Sequence, residues 1–235
     1  VTTCDLVPVR IEERLNDKYY GGFCNDTIWP LFHYFAAQAR FDATDFEAYR
    51  RAQEAFAEAL AALLRPTDLV WIHDYHLLLL PGMVRERFPD VNIGFFLHIP
   101  FPSFEVLRLM PRQWREAILR GMLGADLVGF HTFDYTQYFL KSVGRTLGIE
   151  TTPNSAVVED RLVKAETFPL GIDYARYHQA TEDPEVIRQE RWLERVLGKK
   201  KLIFSVDRLD YSKGLLHRLA GFERFLEKYP AWHRK

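Results

Sequence analysis

From residue 67 onward, short apolar runs alternate with stretches of helical periodicity, and this alternation restricts the fold more than any other feature. The runs Leu69–Ile72, Ile93–Ile99, Asp126–Phe130 and Ala165–Leu170 each lead into a polar or Gly/Pro-marked loop. Between them lies helical spacing such as Trp114, Ile118, Leu119 and Met122. Runs too short for helices, separated by amphipathic segments, form a βαβα pattern and predict an α/β chain with a mostly parallel sheet. Before them, Phe46, Tyr49, Phe56, Leu60 and Leu63 recur at three- or four-residue steps within 44–64, which predicts one amphipathic helix.

The chain is long enough for a sizeable core: 235 residues, 48% hydrophobic. Lys+Arg 31 against Asp+Glu 32 leaves a net charge of -1, so no global field draws nucleic acid or an acidic membrane, and any anion site must be local. No apolar run approaches the ~20 residues of a membrane span; Leu77–Leu80 is broken by Pro81 and Gly82. Cys4 and Cys24 are too few for a disulfide framework and have no zinc-type spacing to histidines. A reducing, cytoplasmic setting is expected. Both ends, VTTCDLVPV and AWHRK, are read as cuts in a longer protein. A boundary is expected after FPLGIDYARYHQ, giving a first unit over 1–177 and a second over 178–235. In the second, a charged helical segment precedes a fresh strand, Lys201–Val206, and a helix from Gly214. One strand and its helix leave backbone groups without partners, so this unit is read as incomplete.

Four stretches carry chemistry. In WIHDYHLLLLPG, His73, Asp74 and His76 lie near the carboxyl end of a strand, the edge where open α/β sheets bind ligands. No third ligand at diagnostic spacing supports a metal. Asp74 is the candidate for hydrogen bonding to sugar hydroxyls, while His73 and His76 are read as polar packing. In GFFLHIPFPSFE, His98 ends another apolar strand at the same expected edge and can hydrogen-bond hydroxyls as a neutral ring. YYGGFCNDTIWPLFHY surrounds Gly21 and Gly22 with aromatics. The glycines imply special torsions or a close approach, and Asn25 or Asp26 is a candidate N-cap for a short helix containing Trp29. Tyr20 and Trp29 offer polar tips beside flat faces that suit a pyranose or its phosphate, and core packing explains them equally well. Finally, FSVDRLDYSKGL sets Arg208 and Lys213 in a strand-to-helix loop. They either pair with Asp207 and Asp210 at the surface or stabilise charge on a diphosphate leaving group.

Taken together and in order, YYGGFCNDTIWPLFHY, VWIHDYHLLLLP, NIGFFLHIPFPSFEVLRLMP, GADLVGFHTFDY, FPLGID and FSVDRLDYSKGL resemble the trehalose-6-phosphate synthase family of retaining glucosyltransferases, over nearly the whole chain. The resemblance implies a Rossmann-like parallel sheet, part of a two-domain GT-B glycosyltransferase fold, with donor UDP-glucose and acceptor glucose 6-phosphate meeting in the cleft. Under it, Tyr20, Trp29 and Asp74 match acceptor-binding positions, His98 matches a histidine on the donor glucose, and Arg208 and Lys213 match the pair on the donor diphosphate. His98, Arg208 and Lys213 are thus the expected catalytic set. Neither a metal nor any cofactor is implied. The Gly-rich donor loop and an acceptor-phosphate arginine would precede Val1, and the ribose-binding acidic segment would follow Lys235. A related synthase using another acceptor, such as glycerol 3-phosphate, and a non-catalytic sugar-phosphate regulator on the same fold are the alternatives. A homo-oligomer and a downstream phosphatase domain are both compatible with this reading.

Overall fold

The computed structural model describes residues 4–65 and 67–235; Val1–Thr3, within the N-terminal cut expected above, and Pro66 lie outside them. By contacts the chain divides into two units, Val1–Leu170 and Gly171–Lys235.

In the first unit all four apolar runs enter one six-stranded sheet of order β1-β2-β3-β6-β5-β4. The strands are β1 Leu69–His73, β2 Asn92–Phe96, β3 Leu127–Phe130, β4 Thr151–Thr152, β5 Ser155–Val158 and β6 Arg161–Thr167. β1, β2, β3 and β6 are parallel, with Ile72 opposite Phe95, Phe95 opposite Val128 and Val128 opposite Ala165. This row is apolar because period-2 alternation sends it to the packed face. Val70, Ile72, Ile93, Phe95, Val128, Phe130, Val163 and Ala165 are buried in one core. Helices Ala43–Ala61, Leu80–Arg87, Arg112–Met122 and Phe133–Leu147 contribute Tyr49, Val84, Ile118 and Phe139 to it.

The opposite face carries Leu69 and Trp71, 71% and 66% exposed. A depression of about 670 Å³ runs along it past Gly94, Phe96, Leu127 and Phe168.

Three expectations are corrected. The fourth run pairs as Arg161–Thr167, so residues 168–170 lie beyond the sheet, and β4 and β5 add an antiparallel edge that period reading did not separate from loop. The amphipathic helix spans Ala43–Ala61 and is capped by Asp42, whose side chain accepts from the Thr44 N–H. Asn25 and Asp26 cap nothing. They lie inside a continuous helical passage of Glu13–Asn16, Asp17–Ile28 and Trp29–Phe32, whose middle part is π-wound, with the Trp29 N–H reaching the Cys24 carbonyl. Wide helical turns of this kind are rare and often sit at functional sites.

The second unit holds helices Tyr174–Gln179, Pro184–Leu197 and Leu215–Lys228. The expected strand Lys201–Val206 has apolar residues but no ladder: Phe204 and Val206 are each 77% exposed. No neighbouring strand in the unit supplies partners for its N–H and C=O groups, and an unpaired run does not become a strand.

Candidate functional site

The carboxyl ends of β1 and β2 are stitched together one residue beyond the ladder. The Asp74 N–H donates to the Phe96 carbonyl at 2.8 Å, and the His98 N–H donates to Asp74 Oδ1 at 3.1 Å. Asp74 and His98, expected on one edge, therefore meet there. Asp74 adopts φ 73° and ψ 171°, a region open almost only to glycine and costing a side-chain residue about 1–3 kcal/mol. That strain is sustained because the next turn is tied down from below. The Tyr49 hydroxyl donates to the Tyr75 carbonyl at 2.8 Å and accepts from the Leu78 N–H at 2.8 Å. Tyr19 and Gln53 both donate to the His76 carbonyl, at 3.1 and 2.5 Å. Burial pushes the Tyr19 and Tyr49 phenols up in pKa, so both remain neutral donors.

His98 is surrounded by titratable groups. Its Nε2 lies 2.9 Å from Nδ1 of His73, and the His131 ring, just after β3, is 5.8 Å away centre to centre. Burial lowers its pKa below the ordinary histidine value; Asp74 opposes this, and His73 and His131 add to it. His98 thus favours a neutral, hydrogen-bonding ring. Among the described residues no group of three or more His, Cys, Asp or Glu is placed to hold a metal ion.

The aromatic segment leads to the same loop. Tyr20, 47% exposed, stacks on His76 at 5.4 Å and 7°. Trp29 packs against His33 at 3.9 Å and Tyr75 at 5.8 Å. Of the glycine pair, Gly22 shows the close approach: a Cβ there would stand 2.5 Å from the Asp45 carboxylate. Neither glycine has a positive φ, so special torsions are not its reason. Tyr20, Trp29, Asp74 and His98 accordingly form one neighbourhood linked through Tyr75 and His76.

Arg208 and Lys213 belong to the second unit, in the loop before helix Leu215–Lys228, which starts at Gly214 with φ 63°. Asp207 pairs with Arg218 at 2.8 Å, and Asp210 accepts from the Ser212 N–H at 2.8 Å. Burial opposes ionisation of Asp210, but the Ser212 hydrogen bonds, with Arg208 and Lys213 nearby, outweigh it and hold its carboxyl below the usual range.

Sequence reasoning missed the clamp formed by Tyr19, Tyr49 and Gln53. Tyr49 was visible only as one apolar position of its helix. It also missed Arg85, which ties the other ends of β2 and β3: its Nη2 donates to Asp126 Oδ2 at 2.7 Å, and the same oxygen accepts from the Ile93 N–H at 2.7 Å.

An open, mainly parallel sheet with polar side chains gathered where its strands end defines a ligand-binding α/β protein of the Rossmann-like kind. The chain belongs to glycosyltransferase family 20, which it matches over residues 1–235. It is 48% identical to the bifunctional trehalose-6-phosphate synthase/phosphatase of Thermoproteus tenax, over 97% of this chain and 31% of the relative. To the UDP-forming alpha,alpha-trehalose-phosphate synthase of Schizosaccharomyces pombe it is 45% identical, over 97% of this chain and 45% of the relative. Its structure is similar, at TM-score 0.83 and 37% identity, to the solved UDP-forming synthase of Burkholderia xenovorans in complex with glucose-6-phosphate, covering 94% of this chain and 49% of that one. The fold is thus that of the GT-B trehalose-phosphate synthases, and the chain spans less than half the length of these relatives.

Proposed function

We propose that this chain is part of a retaining glucosyltransferase that moves glucose from UDP-glucose to glucose 6-phosphate, giving trehalose 6-phosphate and UDP. Residues 1–177 form the acceptor side and 178–235 begin the donor side. The observation that carries the reading is the strained Asp74. A backbone held at φ 73° turns its carboxylate onto the His98 amide, and among the described residues its Oδ2 makes no hydrogen bond. That oxygen is left to accept acceptor hydroxyls.

Tyr20 and Trp29 supply flat faces beside it for the sugar phosphate, and the neutral His98 ring bonds a hydroxyl of the donor glucose. Arg208 offers a planar fork and Lys213 a point charge to the diphosphate. As the glycosidic bond to UDP breaks, negative charge grows on the departing phosphate, which these cations stabilise. The same phosphate oxygen takes the proton of the incoming hydroxyl on the face it leaves, so the new bond forms with retention. Catalysis is positioning plus leaving-group electrostatics. The free cysteines, Cys4 exposed and Cys24 buried, suit a reducing cytoplasm. Among the described residues no helix is long and apolar enough to cross a membrane.

The test is UDP release by a protein of the relatives' length carrying this chain, with glucose 6-phosphate, glycerol 3-phosphate or no acceptor. Release dependent on glucose 6-phosphate is expected. Preference for glycerol 3-phosphate would move the acceptor assignment, and no release with any acceptor would favour a sugar-phosphate sensor.

A further inference from the structure

We propose that His73 is a positioning residue for His98, fixing which nitrogen of that ring carries the proton and which faces the ligand. His73 is the last residue of β1 and sits in register with Phe96, two residues before His98. Its Nδ1 is 2.9 Å from His98 Nε2, a hydrogen-bonding distance at which one proton, and only one, fits between the nitrogens. Because the contact joins Nδ1 of one ring to Nε2 of the other, two neutral rings must therefore hold the same tautomer, both protonated at Nδ1 or both at Nε2. Two protonated rings would turn N–H against N–H, so the pair accepts a single positive charge while the contact stands.

The contact engages Nε2 of His98, and the backbone of His98 is fixed separately by Asp74 Oδ1. Nδ1 makes no hydrogen bond to the described residues and is the nitrogen left for a ligand hydroxyl. His73 is itself steadied by the Trp71 ring, 4.8 Å away on the same face of β1. The charged and titratable groups around His98 are Asp74 from the loop after β1, His73 from β1 and His131 from the loop after β3. The two histidines disfavour its protonated form and Asp74 favours it, while burial lowers its pKa further. In the sequence His73 passes for packing, because neighbours in a strand point to opposite faces. The Asp74 carboxylate and the His73 ring reach the same residue by different routes, one to its backbone and one to its ring.

The tautomer part stands on geometry alone, and the kinetic part rests on the glucosyltransferase reading. The first measurement is imidazole nitrogen NMR on the 235-residue chain, comparing the parent with His73→Phe and His73→Asn. Phenylalanine keeps the ring and loses the nitrogen, whereas the asparagine amide reaches the position of Nδ1. Expected are a single His98 tautomer, the same as that of His73, in the parent, a mixture titrating at higher pH in His73→Phe, and one tautomer again in His73→Asn. Different tautomers on the two rings in the parent, or an unchanged His98 in His73→Phe, would overturn the proposal; should that variant not fold, the parent pair and His73→Asn still decide it.

In the longer protein, His73→Phe should lower kcat/KM for UDP-glucose about 10-fold, by analogy with the loss of partners that orient metal-bound histidines, with KM for glucose 6-phosphate unmoved and His73→Asn recovering most of the loss. Equal losses in both variants would make His73 a packing residue. A parent without turnover would sink the glucosyltransferase reading and leave the tautomer result standing.

Discussion

Two apolar runs of the chain, Leu69–Ile72 and Leu202–Val206, look alike as sequence and end differently. In the first, Val70 and Ile72 are 6% and 4% exposed and the backbone is laddered to β2. In the second, Ile203 and Phe204 are 72% and 77% exposed and unladdered. Both have β-branched and aromatic content, so propensity does not separate them. What separates them is partners: β1 has a neighbour whose register presents Phe95 and Val128 in line with Ile72, and the second unit has no strand to offer. Strand formation here belongs to the sheet before it belongs to the segment.

Hydrogen exchange on the 235-residue chain sharpens this contrast with the largest expected effect. Amides of β1, β2 and β3 should exchange only through global or large sub-global opening, slowed by roughly 10³ or more, whereas those of 202–206 should exchange nearly unprotected. Protection at 202–206 equal to that of β1 would break the comparison.

The next effect concerns the clamp that lets the first unit hold a strained residue. Tyr49→Phe removes the buried hydroxyl's bonds to the Tyr75 carbonyl and the Leu78 N–H and should cost about 1–3 kcal/mol. Thermal unfolding of the first unit should then start several degrees lower, while helices of the second unit keep their own transition.

Asp74 gives a sharper split. Asp74→Gly removes the strain together with the carboxylate, and Asp74→Ala removes the carboxylate alone. The glycine variant should be the more stable of the two by about 1–2 kcal/mol, read by denaturant unfolding. Both should raise the glucose 6-phosphate requirement in the longer protein. An alanine variant as stable as the glycine one would mean that the backbone at 74 is not strained.

The smallest effect is with pH. His76 and His98 both have pKa values lowered mainly by burial. As pH falls through the ordinary histidine value of ~6.5, the unfolded chain binds protons that the folded one resists. Stability of the first unit should therefore be full above that value and decline below it. A midpoint denaturant concentration that rises on acidification through this window would contradict the shifts.

Much of the first unit was legible in the sequence, because each parallel strand is buried on one face and announces itself as an apolar run before a Gly- or Pro-marked loop. Asp74 and His98 could be placed on a common edge for the same reason: both follow such runs. The antiparallel edge Thr151–Val158 was not legible, since its strands are two and four residues long and carry too little periodicity. The π-wound passage was not legible either. Its aromatics satisfy packing and site readings alike, and a Gly-Gly pair signals close approach or unusual torsion without saying which. Nor could the His73–His98 contact be read, because it depends on the register that pairs His73 with Phe96, which spacing along the chain does not encode.

The role proposed for the second unit rests on the cation pair. Steady-state kinetics of Arg208→Ala in the longer protein, with UDP-glucose and glucose 6-phosphate varied in turn, tests the glucosyl-transfer account most directly. A fork that tightens on a departing diphosphate acts on the chemical step, so turnover should fall ~10²–10³-fold with acceptor KM little changed, and Lys213→Ala should fall by a similar or smaller factor. Near-normal turnover in folded Arg208→Ala would contradict the account and return the cations of VDRLDYSKG to the protein surface.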